Sequence, residues 1–109
     1  MTPSPLGEFE VVVLMAVAHL KGAGYGSSIR EEITARTGRR PSRGAVYITL
    51  DRLETKGLLD SALGDPLPQR GGRPRRAYRL TAAGKKALRH SVSMFVKMHA
   101  GLEPLLQQL

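Results

Sequence analysis

Between Pro5 and Leu20 the apolar residues Phe9, Val12, Val13, Ala16, Val17 and Leu20 fall at i, i+3, i+4, i+7, i+8 and i+11. That is the stripe of a helix with one face turned to a core. Ser4 and Pro5 read as its N-cap and first residue, because proline's missing amide has no helical partner at that position, and Gly22 to Gly24 end it. A second, short helix follows in SIREEITARTG, with Ser27 or Ser28 as cap, Ile29 and Ile33 on one face, Glu31 and Glu32 towards the positive end of the dipole, and Gly38 as stop. Tyr25 is expected to pack over the junction of these two helices. After the basic turn Arg39-Arg40-Pro41 comes a third helix, from the N-cap Ser42 to an αL C-cap at Gly57. Its Val46, Leu50 and Leu53 form a buried stripe, while Arg43, Tyr47, Thr49 and Arg52 project from other faces.

Beyond Gly57 the period changes. Residues 58–63 read as a short strand, and Gly64-Asp65-Pro66-Leu67-Pro68 as irregular chain. Gly71-Gly72 supplies a loop tip, and Arg76, Tyr78 and Leu80 alternate with Arg75, Ala77 and Arg79 as in a half-exposed strand. The result is a hairpin with an arginine-rich tip. Thr81 caps a last helix in which Leu88, Val92, Phe95, His99, Leu102, Leu106 and Leu109 repeat at four and three, beside a second line of Ala87, Ser91, Met94, Met98 and Leu105. Two adjacent apolar lines exceed what one small domain covers, so a partner helix is expected, most simply from a second copy of the chain. Pro104 removes a helical amide, and the helix should kink or break near residues 101–104, leaving the seam sound to about Ala100.

The chain has 109 residues, 17 Lys+Arg against 9 Asp+Glu, a formal charge of +8 and no cysteine. The length fits one modest core, divided here into residues 1–80 and a terminal helix, 81–109. The charge points to a polyanionic partner, and the run from Arg70 to Arg89 carries eight basic residues and no acid. Disulfides, thiolate catalysis and Cys-ligated metal are excluded. The start MTPSPLGEFE lacks a basic leader, and VVVLMAVAHL is too short to span a bilayer, so a cytoplasmic protein away from membranes is expected. His19, His90 and His99 show no metal-ligand or triad spacing, and no phosphate loop or nucleophile elbow is present. An enzyme is not expected, nor a metal, nor any cofactor.

Three helices, a basic two-stranded wing and a final helix give a mainly α (α+β) fold, in the order of a winged helix-turn-helix with a C-terminal dimerisation helix. The sequence resembles the PadR family of transcriptional regulators in LGEFEVVVLMAVAHL, in GYGSSIREEI, in the S-x-G-x-x-Y-x-x-L-x-x-L-x-x-x-G-L pattern from Ser42 to Leu58, and in GGRPRRAYRLTAAG. The single terminal helix matches the short-chain subgroup. The resemblance implies a homodimeric, DNA-binding repressor whose third helix enters the major groove, with Ser42, Gly44 and Tyr47 at the start of that helix and the arginines beside Gly71-Gly72 in the wing. Arg43 departs from the proline common at its position. The absence of tryptophan departs from those short members that stack planar drugs between aromatic residues.

From the residues themselves, a helix N-terminus with free amides and a cationic side chain suits a phosphate, and a major groove admits the helix. The expected contacts with double-stranded DNA are Arg39, Arg40, Ser42, Arg43, Gly44, Tyr47, Thr49, Arg52, Arg70, Arg73 and Arg75. Several have a structural alternative: Gly44 as a close-packing site on the second helix, Tyr47 as a ring on the wing, and Arg52 as the partner of Asp51 or Glu54. Leu88, Val92, Phe95, His99 and Leu102 are the expected dimer contacts. Met94, Phe95, Met98 and His99 either line an interfacial pocket for a small apolar effector or form plain dimer core. Two copies reading one face of the duplex imply an inverted repeat with half-sites about one helical turn apart. The alternative function is an RNA-binding or protein-docking winged helix without operator specificity.

Overall fold

The computed structural model describes residues 5–66 and 74–107. Its elements are α1 (Glu8–Leu20), β1 (Gly24–Tyr25), α2 (Gly26–Thr37), α3 (Arg43–Thr55), β2 (Leu59–Pro66), β3 (Pro74–Leu80), α4 (Ala82–His99) and α5 (Glu103–Gln107). β3 is the centre of a three-stranded antiparallel sheet, paired with β1 on one side and β2 on the other.

α1 begins later than expected. Pro5 lies before the helix, Gly7 is the N-cap, and the Glu10 carboxylate reaches back to accept the Gly7 amide at 2.8 Å. Ser4 lies outside the described residues. Val13, Ala16 and Val17 are buried as expected, but Val11 and Leu14 join them while Phe9, Val12 and Leu20 sit at the margin. The helix is central to the domain and packs on α2, α3, β3 and α4, so its buried face is wider than one stripe.

The N-cap of α2 is Tyr25, not Ser27 or Ser28. The Ser28 hydroxyl accepts the Tyr25 amide at 2.9 Å and donates to the Tyr25 carbonyl at 3.0 Å, doing from inside the first turn what a cap does from outside. Gly38 ends the helix at φ 76°, a conformation that costs glycine little. α3 is capped as expected, Ser42 Oγ accepting the Ala45 amide at 3.0 Å. At its other end the Gly57 amide bonds to the Glu54 carbonyl and the Leu58 amide to the Leu53 carbonyl, a Schellman closure with Gly57 at φ 78°. Val46, Leu50 and Leu53 are fully buried with Ile29, Ile33, Leu59 and Tyr78.

Residues 64–66, expected to be irregular, continue β2. Their pairing with β3 is interrupted between Leu63 and Pro66, and β2 is an edge strand, where proline's missing amide need not interrupt a ladder. The expected alternation in β3 holds only from Tyr78 to Leu80, with Tyr78 buried, Arg79 exposed and Leu80 half-buried; before it Arg76 is exposed while Arg75 and Ala77 are half-buried. Burial, then Asp51 and Glu54, push the Tyr78 hydroxyl pKa above its usual value, so it stays neutral in the core. The hairpin tip around Gly71-Gly72 lies outside the described residues.

Thr81 joins the sheet to the last helix. Its hydroxyl accepts the Gly84 amide at 2.9 Å and donates to the Gly57 carbonyl at 2.7 Å, and its own amide bonds to the Leu58 carbonyl at 3.2 Å. α4 then lays Gly84, Ala87 and Ser91 against the domain. The break expected near 101–104 lies at Ala100–Leu102, with Gly101 at φ 90°; Pro104 falls in the first turn of α5, where it is tolerated. No helix among the described residues is long and apolar enough to cross a membrane.

Candidate nucleic-acid interface

The core stripe of α3 fixes which side chains face outward. With Val46, Thr49, Leu50 and Leu53 inside, the opposite face carries Gly44, Ile48, Asp51, Arg52 and Thr55, all exposed. A Cβ built on Gly44 would meet nothing within 4 Å. Gly44 therefore does not serve close packing on α2; it leaves bare backbone on the outward surface. Because Ser42 Oγ takes the Ala45 amide, the amides of Arg43 and Gly44 at the head of the helix remain available to an anion.

Ser42 Oγ accepts the Ala45 amide as the cap and, on an exposed residue, keeps its own hydroxyl proton to donate. Thr49 is a correction to the expected contacts. It is only 7% exposed and donates its hydroxyl to the Ala45 carbonyl at 2.8 Å, which satisfies the one polar group that burial would otherwise strand. Tyr47 lies against the start of α2: a Cβ on Gly26 would sit 2.3 Å from its ring carbon Cζ and from its hydroxyl oxygen. The Arg43 guanidinium stands 5.6 Å from the centre of the same ring, close enough for a cation–π attraction.

The cluster around the turn between α2 and α3 divides in two. Arg36 pairs with Glu32 one turn earlier. Arg39 is bound to both oxygens of Glu8, at 2.8 and 3.0 Å, and lies over the Phe9 ring at 5.3 Å. It clamps the turn to α1, so its charge is already neutralised. Arg30 holds the turn from the other side, its Nε donating to the Pro41 carbonyl at 3.1 Å. Arg40 and Arg43 are exposed and form no ion pair among the described residues. Nor does Arg52, which the sequence left open to pairing with Asp51 or Glu54.

At the wing, three arginines of the acid-free run have partners from elsewhere in the chain. Arg75 lies 3.8 Å from the Tyr25 ring centre, Arg79 binds Asp60 across the hairpin at 2.7 Å, and Arg76 donates to Ser61 Oγ, which donates in turn to Glu54 of α3. Tyr25, expected over the junction of the first two helices, instead sets its ring against the wing, beneath Arg75 and beside Gly64. The last chain of bonds ties the wing to α3. Arg70 and Arg73 lie outside the described residues.

Sequence reasoning missed Ile48, Asp51 and Thr55 on the outward face. The spacing of four, three and four from Gly44 to Thr55 was the available sign, obscured because Ile48 reads as core when taken alone.

The far end of the chain presents a second surface. Leu88 and Val92 are half-buried, but Met94, Phe95, Met98 and His99 are exposed, Phe95 by 56% and Met98 by 74%, and Leu102, Leu105 and Leu106 continue the apolar patch. His99 Nδ1 lies 3.7 Å from a Glu103 oxygen, and the other Glu103 oxygen accepts the Gly101 amide at 2.9 Å, so the helix break is itself pinned.

A helix-turn-helix with an outward, cation-flanked second helix and a β-hairpin wing defines the winged-helix class of DNA-binding regulators. Within that class the chain belongs to the transcriptional regulator PadR-like family, which it matches over residues 13–90, and it is accordingly a non-enzymatic regulator. It is 46% identical over 66 residues to a transcriptional regulator of Mycobacterium tuberculosis, covering 59% of this chain and 55% of that one; the match spans about half the length of that curated relative. A PadR family regulator from Clostridium difficile superposes with a TM-score of 0.74 at 25% identity, over 92% of this chain and 99% of the other. One from Eggerthella lenta gives 0.70 at 25% identity, over 94% and 88%.

Proposed function

We infer that this protein is a sequence-specific repressor that binds an inverted-repeat operator as a homodimer, each copy placing α3 in the major groove and its wing on the flanking backbone. The observation that carries this is the outward face of α3, where the bare backbone at Gly44 and the two open amides stand among Arg40, Arg43 and Arg52, cations that form no ion pair among the described residues. The core partners hold the helix, and among the described residues this face is left exposed. Arg43 and Arg40 are placed for phosphates, Arg52 for a base edge or phosphate, and Tyr47 for a phosphate through its hydroxyl while its ring stays on Gly26.

The apolar surface from Met94 to Leu106 supports the dimer, since so large a patch is uncommon on a monomer. In such a dimer the two recognition helices would stand about 34 Å apart. Met94, Phe95, Met98 and His99 are exposed on the single chain, and a second copy laid across them would close an apolar site fit for a small effector. Selection from random duplex oligonucleotides tests the whole reading. An enriched inverted repeat with half-sites about one turn apart is expected; binding without sequence preference, or tighter binding to RNA, would instead mark a docking module.

A further inference from the structure

Ile48 stands in the middle of the outward face of α3 and is 57% exposed. One exposed apolar residue is ordinary on any surface; its surroundings set this one apart. Gly44 lies one turn before it, and Arg52 and Thr55 one and two turns after, on the same face. Ile48 also walls a shallow cleft with Asp51, Arg52, Thr55 and Lys56. The surface meant for the groove is therefore a branched apolar knob with bare backbone on one side and polar groups on the other.

Of the features that base pairs present in the major groove, the thymine 5-methyl group is the apolar one. Packing Ile48 on it removes apolar surface of both groups from water. A β-branched side chain in a helix is held largely in one χ1 rotamer, so little freedom is lost on contact. A cytosine in the same place carries only a hydrogen at C5, so the apolar contact is lost.

We propose that Ile48 is a specificity-determining residue of α3, packing on the 5-methyl group of one thymine in each half-site, with Gly44 letting the helix backbone come close enough for contact. The assignment rests on the reading of α3 as the helix that enters the groove.

The test uses the full chain and the site selected from random duplexes. Each thymine of a half-site is replaced in turn by deoxyuridine, which removes the methyl group and nothing else. At one position the unaltered protein loses about fourfold in affinity, the worth of about one buried methyl, about 0.8 kcal/mol. Ile48→Ala binds the thymine and deoxyuridine duplexes equally at that position, while its melting temperature and salt dependence stay those of the parent. A selected half-site without thymine, indifference of the unaltered protein to every deoxyuridine, or a penalty that persists in Ile48→Ala overturns the assignment. Failure of the unaltered protein to enrich any site overturns the operator reading itself, and is seen before any Ile48 variant is made.

Discussion

A Cβ added to Gly84 would lie 2.0 Å from the carbonyl oxygen of Leu58. The first turn of α4 thus sits directly on the backbone that leaves α3, and the obstacle is a main-chain atom that cannot swing aside. Gly84→Ala should destabilise the protein by about 3 kcal/mol, the upper range for overpacking. Urea unfolding at fixed protein concentration measures it; a loss below about 1 kcal/mol would show that α4 shifts freely.

Thr81 serves two partners through one oxygen. Thr81→Ala removes both the cap of α4 and the bond to the Gly57 carbonyl, and should lower stability by about 1–2 kcal/mol. Thr81→Ser, which keeps the hydroxyl, should recover most of that in the same unfolding experiment.

Glu10 gives the fold an acid-sensitive contact. The Lys56 ammonium lies 2.7 Å from its carboxylate, whose side chain is 14% exposed. Burial alone would raise its pKa, but the bonds from Lys56 and the Gly7 amide, with the nearby Arg52 charge, hold it below the usual 4.5. The folded protein therefore takes up this proton at lower pH than the unfolded chain does. The stabilisation is fully present above about pH 4.5 and is lost as pH falls through the lower folded value. Glu10→Gln should cost about 1 kcal/mol at neutral pH, and the difference from the parent should vanish in acid, as read from unfolding curves across that range.

Arg39 and Arg43 look alike in sequence and should differ in DNA binding. Arg43→Ala should reduce operator affinity about tenfold and lower the slope of log affinity against log salt by about 1. Arg39→Ala should leave that slope unchanged, because Glu8 already neutralises its charge, and should change stability by less than about 1 kcal/mol. Mobility-shift titrations between about 50 and 200 mM salt compare them.

Phe95→Glu places a charge in the exposed patch of α4 without disturbing the domain core. The expected outcome is a monomer by sedimentation and operator binding weakened at least about tenfold, since the second half-site contact ceases to be intramolecular. An unchanged dimer would locate the interface elsewhere.

Much of this architecture can be read from the chain. Val46, Leu50 and Leu53 place α3, Gly57 closes it, Thr81 opens α4, and Pro104 lies just past a real break. What escapes reading depends on distance or on local satisfaction. Arg39 reaches Glu8 across 31 residues, a contact no spacing announces. Thr49 goes inside because its hydroxyl finds a carbonyl one turn back, which makes a polar residue acceptable on a buried face. β1 is two residues long, too short to alternate. On α4 both apolar lines are covered only near the start of the helix, at Ala87, Leu88, Ser91 and Val92, where Gly84 brings the helix against the domain; the bulkier residues from Met94 onward are left outside.

The three bonds at Thr81 tie together the sheet, the end of α3 and the start of α4. These bonds couple α4 to the end of α3, so in the proposed dimer the two would move together as one arm. A small rotation where two copies meet would be magnified along that arm into a displacement of α3. The separation of the two reading heads would then be set by the angle at which the copies join, and a compound that changed this angle by a few degrees would move them out of step with the turn of the duplex.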